Sequence, residues 1–218
     1  MGKFVSAICM VSRSIQPLLD LIFPERCRAC GSWCSHQGSG EAATRAVCRE
    51  CFLKLSGTFC PAEWLSLSAD EAFQIVSGTV YCGLVKKLIY KLKYDGDRAL
   101  AYDLSLLLER AWGRLSAQCP VGNAVLIPIP LNWQRQQQRG FNQAELMARC
   151  LAEAVDLPVD VQALRRIKNT APQHGLDRLS RKANLSGAFE GDPRRIQGRF
   201  VILVDDIYTS GATLVEAA

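Results

Sequence analysis

The sequence predicts an α/β protein with a mainly parallel sheet, preceded by a small cysteine-stapled module. Three observations carry this. Short apolar runs at 124–129 and 201–204 alternate with amphipathic helical segments at 83–92, 99–115 and 144–155, the pattern of parallel strands covered by helices on both faces. Two C-x-x-C pairs lie close together near the N-terminus. The second apolar run ends in two carboxylates and a loop rich in hydroxyls and glycine.

A chain of 218 residues, 49% hydrophobic, suits one medium domain plus a small module and excludes a disordered tail. The net charge of +5 is modest, and it leaves room for local basic patches facing phosphorylated ligands or nucleic acid. The apolar run Phe4 to Val11 is too short to cross a bilayer. The polar break Ser12-Arg13-Ser14 and the lack of a small-x-small site argue against a secretory signal. A cytoplasmic protein is expected, with an amphipathic helix from Ser14 to Phe23 in a leading segment 1–24. No stretch is long and apolar enough for a membrane span.

The ten cysteines are clustered for metal rather than spread for disulfides. Cys27-x-x-Cys30 and Cys48-x-x-Cys51 are separated by seventeen residues, within the range of a four-thiolate zinc ribbon, here a module over 25–61. Such a Zn2+ is closed and structural. The intervening Gly38-Ser39-Gly40-Glu41 is polar, so the module has little to fold around without metal. Cys34, His36 and Cys60 are alternative donors, and the reading favours no ligation by these three. Cys9, Cys82, Cys119 and Cys150 read as small buried hydrophobes.

The main domain, 62–218, opens with a linker of weak helical character, Ala62 to Gln74, and a strand from Val76 to Cys82. A helix from Gly83 follows, with Leu84, Leu88, Ile89 and Leu92 on one face. Of its lysines, Lys86 and Lys87 read as solvated. Lys91 and Lys93 adjoin the turn Tyr94-Asp95-Gly96-Asp97, where an anion would meet charge. A leucine-rich core helix spans 99–115, and a buried strand 124–129 exits through Pro128 and Pro130. Arg135, Arg139 and Gly140 then lie in a loop that Gln136-Gln137-Gln138 mark as solvated and mobile, ahead of a helix from Ala144 to Val155. A third strand-like run, Val159 to Leu164, precedes a basic segment from Arg165 to Asn184. That segment reads as an active-site flap whose later half, Leu176 to Leu185, forms a short basic helix. His174 within it reads as a solvated loop histidine.

The stretch Val201 to Thr213 organises the rest. Four β-favouring residues indicate a strand buried on both faces, ending at Asp205 and Asp206. Thr209, Ser210, Gly211, Ala212 and Thr213 form a loop into a helix, where amides and a helix N-terminus favour a phosphate. The two acids suit a vicinal diol, or Mg2+ held directly or through water. Phosphate beside diol points to ribose 5-phosphate.

These thirteen residues resemble the phosphoribosyl-diphosphate (PRPP) motif of type I phosphoribosyltransferases. The whole chain resembles the ComF (amidophosphoribosyltransferase-like) family, in which a zinc ribbon precedes such a domain. The carrying segments are Phe23 to Cys30, Cys48 with Cys51, Leu92-Lys93-Tyr94-Asp95-Gly96, Pro128-Ile129-Pro130, Arg139-Gly140-Phe141-Asn142-Gln143, Gln173 to Asn184, and the motif itself. The resemblance implies a doubly wound sheet and a bacterial protein linked to competence, with competence or DNA-processing proteins as partners. It also implies ribose contacts from Asp205 and Asp206, the catalytic pair, and 5-phosphate binding by residues 209–213. PRPP with Mg2+ is the expected ligand, and Lys93 and Arg139 are the cations expected at its diphosphate. The chain departs from the family in two ways. A second cysteine pair is reduced to Cys60, and the chain ends at Ala218, barely into the helix after the loop, so the domain is expected to be truncated there.

A rival reading is a single-stranded nucleic-acid-binding factor whose PRPP site is regulatory or vestigial. The ribbon, the basic flap, and Trp133, Phe141 and Tyr94 would grip the strand by charge and stacking.

Overall fold

The computed structural model describes residues 26–34, 46–58, 60–66, 72–119, 121–169 and 184–218. The leading helix expected within 1–24, His36, and most of the expected flap with its basic helix lie outside the described residues.

At the centre, β3 (Ala124–Pro128) and β6 (Phe200–Val204) pair in parallel, in register from Ala124↔Phe200 to Pro128↔Val204. Val159 adds a parallel bridge to Leu126 on the other edge of β3. Every residue of β3 is buried, because both of its faces are covered. Leu126 packs with Leu108 and Trp112 of helix α3 (Leu100–Ser116) and with Ala148 and Leu151 of α5 (Gln143–Val155). Val125 and Ile127 pack on the opposite face with Leu164, Phe189, Ile196 and Leu214. Those residues belong to the antiparallel pair β4 (Leu164–Arg166) and β5 (Phe189–Gly191), the short α6 (Pro193–Ile196) and α7 (Ala212–Ala217). This is a mixed α/β architecture around a parallel pair, the coarser part of the expected fold class.

The strand β6 departs from expectation. Only Val204 is buried along it, and Val201 is 36% exposed. Among the described residues β6 has a ladder partner on one edge only. Beyond it lies an apolar groove of about 960 Å3 lined by Phe73, Leu104, Trp112, Leu115 and Leu203 among others.

The expected linker 62–74 is instead a hairpin, β1 (Glu63–Ser66) against β2 (Ala72–Ile75), with Trp64 opposite Gln74 and Leu65 opposite Phe73. The strand expected at 76–82 is absent, because this stretch bonds to helices rather than to a ladder. Thr79 Oγ1 donates to Leu55 O at 2.9 Å, and Arg114 donates to Ser77 O. Gly78 lies so close to α3 that a Cβ there would stand 2.5 Å from Leu107 O, and this is why a strand-like composition gives way to a packed irregular crossing.

The cysteine segment shares a core with the helices. Cys27, Ala29, Val47, Cys51 and Leu55, the last two on α1 (Arg49–Ser56), pack in one cluster with Val85, Leu88, Leu92, Leu100 and Leu104. Asp103, fully buried on α3, accepts from Ala46 N and Val47 N at 2.8 Å each. Lys87, expected to be solvated, donates to Ala29 O at 2.7 Å, and Arg28 pairs with Asp97 at 2.9 Å.

Helix α2 (Gly83–Tyr90) runs into a π-helical turn, Lys91–Asp95, closed by Gly96 in the left-handed region at φ 70°. The residues expected as a mobile loop at 135–139 are helix α4 (Trp133–Arg139). Asn132 caps it by accepting from Gln134 N at 2.9 Å, and Gly140, at φ 72°, stops it. Glutamine and arginine are good helix formers, so a cap and a stop suffice. Of the expected strand 159–164 only Val159 bridges to the sheet. Asp160 Oδ1 accepts from Gln162 N and Ala163 N, turning the chain into β4.

Candidate functional site

The four cysteines of the two knuckles converge, their Sγ atoms all lying within 4.8 Å of one another. Local backbone geometry brings this about. Gly31 takes φ 79° after Cys30, and Cys30 N and Cys48 N donate to Cys27 Sγ at 3.5 and 3.2 Å. Hydrogen bonds from Ser32 draw the Cys30 thiol down to about 6, while burial pushes Cys51 up. Four sulfurs at this spacing fit a closed tetrahedral site, and a soft, all-thiolate set suits zinc. Cys34 is buried beside them, its thiol pushed up to about 12 by burial and the neighbouring sulfurs, and it stands outside the group of four. Cys60 is also outside it.

The second site forms where β6 ends. The parallel ladder carries on past the strands, with Ile129 N donating to Val204 O at 2.9 Å, and Asp205 and Asp206 follow at the carboxyl edge of the sheet. Two elements reach Asp206, and a third reaches it through Gln143. The π turn directs Leu92 into the core and Lys93 onto Asp206 Oδ2, an ion pair in which both side chains are largely covered. A π turn is frequent at functional sites because the extra residue re-aims side chains. From the start of α5, Gln143 Nε2 donates to Asp206 Oδ1 at 3.1 Å. From the end of α4, Arg139 Nη1 donates to Gln143 Oε1 at 2.9 Å.

Asn142 holds the α4–α5 junction in place. It accepts from Ala144 N at 3.0 Å as the helix cap, and its Nδ2 donates to Ile129 O at 2.9 Å, which ties α5 to the exit of β3.

Asp205 accepts from Asp206 N at 2.8 Å. Protein atoms surround it on most sides, and burial together with the adjacent Asp206 charge pushes its carboxyl well above the usual carboxylate range. The Arg166 guanidinium, over the Phe189 ring at 5.3 Å, lies within electrostatic reach of Asp205 and of Arg135. Beside the acid pair is a cleft of about 360 Å3 lined by Lys93, Tyr94, Asp95, Arg135, Arg139 and Phe141. Three cations line it, of which Lys93 is paired with Asp206, and its one acid, Asp95, is paired with Lys91.

The structure thus gathers Lys93, Arg139, Asp205 and Asp206 as one group. The loop Thr209 to Thr213 leads directly from the acids, with Gly211 at φ 75° before α7. Among the described residues no side-chain hydrogen bond engages Thr209, Ser210 or Thr213. Lys91 is taken up by Asp95 at 3.5 Å. The sequence places Arg135 beside Arg139 and Gly140 in a phosphate-suited loop and Arg166 in the basic flap, but nothing in it assigns Gln143 a contact with Asp206. Arg139 and Gln143 are four apart, but Gly140 breaks the helix between them, so helical spacing carries no signal for their contact. Phe141 is 8% exposed beneath the Arg98 guanidinium at 4.8 Å, which removes it from the stacking surface proposed for nucleic acid. Tyr94, by contrast, is 64% exposed, its ring centroid 4.6 Å from that of Tyr90 and tilted by 38°.

Comparison with known proteins gives consistent relatives. The DNA utilization protein YhgH of Shigella flexneri is 31% identical over 195 residues, covering 87% of this chain and 85% of its own. Competence protein F of Haemophilus influenzae is 34% identical over 135 residues, 61% of this chain and 58% of its own. Competence protein ComFC of Bacillus subtilis is 29% identical over 182 residues, 81% and 66% of the two chains. The chain belongs to the ComF family. No protein-family model matches the chain, and no solved structure does. No helix of the described residues is long and apolar enough to cross a membrane.

Proposed function

We propose that this ComF-family chain binds PRPP with Mg2+ at the acid pair, as a phosphoribosyltransferase-like protein serving DNA uptake in competence or nucleotide salvage. The carrying observation is the convergence of Lys93 and Gln143, from separate elements, on Asp206 at the carboxyl end of a parallel strand, with Arg139 joined to it through Gln143. Ligands in open α/β sheets bind at that edge.

The donor set fits Mg2+, because two adjacent carboxylates are hard oxygen ligands, and burial with the neighbouring Asp206 charge raises the Asp205 carboxyl, a penalty that a bound cation would offset. When bound, Mg2+ neutralises charge on the diphosphate. The chain's own groups do the remainder. Asp205 and Asp206 face the ribose hydroxyls and stabilise positive charge developing at the anomeric carbon. Lys93, Arg139 and Arg135 meet the charge that builds on the departing diphosphate, and residues 209–213 hold the 5-phosphate. Cations already in place cost little reorganisation as that charge develops. The four-cysteine cluster holds structural zinc and takes no part in the chemistry.

Calorimetric titration of PRPP with Mg2+ into zinc-loaded protein tests this reading. Saturable binding, lost in Asp205→Ala/Asp206→Ala, is expected; its absence from the folded wild type would sink the phosphoribosyl reading. A second reading has its own observation, the exposed, tilted Tyr90–Tyr94 pair beside Arg139, whose guanidinium lies over the Tyr94 ring at 5.2 Å. Such a platform suits single-stranded DNA, and the relatives' names concern DNA utilization and competence. Salt-sensitive DNA binding that persists in the double variant would favour it.

A further inference from the structure

Gln143 stands between two groups of opposite sign that arrive on different elements. It is 3% exposed; Oε1 accepts from Arg139 Nη1 at 2.9 Å and Nε2 donates to Asp206 Oδ1 at 3.1 Å. A guanidinium offers only donors and an ionised carboxylate only acceptors, so a single orientation of the amide satisfies both. No charged side chain of similar reach could replace it. A carboxylate there would repel Asp206, and an ammonium would repel Arg139.

We infer that Gln143 is a positioning residue of the phosphoribosyl site, holding Arg139 and Asp206 apart and in register so that one diphosphate-bearing sugar reaches both. The inference rests on the PRPP reading above. Arg139 is a long side chain with considerable rotamer freedom, and it also lines the cleft with Lys93 and Arg135. Without Gln143, the guanidinium and Asp206 would meet as an ion pair. That contact would put a second cation on Asp206, which Lys93 already pairs, and withdraw Arg139 from the cleft. With the amide between them, Arg139 faces the cleft. The charged and titratable groups around Gln143 are Lys93 from the π turn, Arg135 and Arg139 from α4, Asp205 and Asp206 after β6, and the phenols of Tyr81 and Tyr94.

The test uses the zinc-loaded full chain as wild type, Gln143→Met and Gln143→Glu, with PRPP and Mg2+ as the probe. Calorimetry is run from about pH 8.5 down to about pH 5.5, spanning the range in which a carboxyl beside other carboxylates titrates. Gln143→Met, similar in volume, is expected to weaken binding about tenfold at every pH, the size of one buried hydrogen bond to a charged group. Gln143→Glu is expected to bind still more weakly at the alkaline end. Its deficit relative to wild type should shrink as the pH falls, because a protonated carboxyl donates to Asp206 and accepts from Arg139 as the amide does. That rescue is read within one folded variant, so a merely structural role cannot imitate it. Wild-type affinity in Gln143→Met, or a Gln143→Glu deficit that does not change with pH, would overturn the role while leaving the PRPP reading intact. Failure of the wild type to bind PRPP would overturn both.

Discussion

The cysteine cluster and the acid pair are both short motifs, and they differ in where their partners lie along the chain. The knuckles find their partners three residues away and across a gap of seventeen. Asp206 finds Gln143 across 63 residues, and Lys93 further still, in a different element. The first site is therefore built by tight turns, its four sulfurs spaced for a metal, the second by the tertiary fold. If so, damage to the first should unfold its surroundings, whereas damage to the second should alter binding and leave the fold standing.

The sharpest way to break that contrast is to remove the metal. Structural zinc contributes apparent free energies of about 10–16 kcal/mol in zinc-finger peptides, and here its ligands share a core with α2 and α3. Chelation, or Cys51→Ser, is expected to release the ion and lower the unfolding temperature of the whole chain. Zinc analysis beside thermal unfolding checks this; an unchanged transition would show that the cluster is independent of the body.

The next effect concerns the seam between cysteine segment and body. Asp103→Ala leaves two backbone N–H groups of Ala46 and Val47 without their acceptor. Hydrogen bonds to charged groups contribute about 1.5–3 kcal/mol each, so denaturant unfolding should show a loss of several kcal/mol, and Asp103→Asn a smaller one because its carbonyl still accepts. Equal losses would mean that charge rather than hydrogen bonding holds the seam.

Asp205 gives a smaller, pH-dependent effect. Its folded carboxyl titrates well above the usual range, through burial and the Asp206 charge, so the folded state binds this proton more tightly than the unfolded chain does. Its contribution is fully present below the ordinary carboxylate value and is lost as pH rises through the raised one. The slope is at most about 1.4 kcal/mol per pH unit. Asp205→Asn should flatten it in unfolding measured against pH, while abolishing PRPP binding. The smallest effect is expected at Glu190, exposed and paired with Arg165 at 3.2 Å: Glu190→Ala should shift stability by less than about 1 kcal/mol.

Legibility in the sequence follows the same division. The knuckles, helix α3 and strand β3 were readable because C-x-x-C spacing and apolar periodicity are local properties. So was the position of the acid pair, at the end of an apolar run. Their partners were not: Gln143 meets Asp206 because Asn142 ties α5 to the exit of β3, and no local pattern encodes that tie. The hairpin β1–β2 was missed because each of its strands is only four residues long, and the crossing after it reads as a strand although its bonds go to helices. Helix α4 reads as a loop because its glutamines give no apolar face, yet Asn132 and Gly140 supply its cap and its stop in plain view.

The central claim is that one ligand is held at both ends, its diphosphate by Lys93 and Arg139 and its 5-phosphate by the loop after the acids. Phosphorus-31 NMR of PRPP with Mg2+ and zinc-loaded protein tests it directly, since the diphosphate and 5-phosphate resonances are distinct. The account predicts that the wild type perturbs both, and that Lys93→Ala/Arg139→Ala weakens the effect at the diphosphate while the 5-phosphate still responds. Resonances unmoved by folded wild-type protein, or equally moved by the double variant, would contradict it.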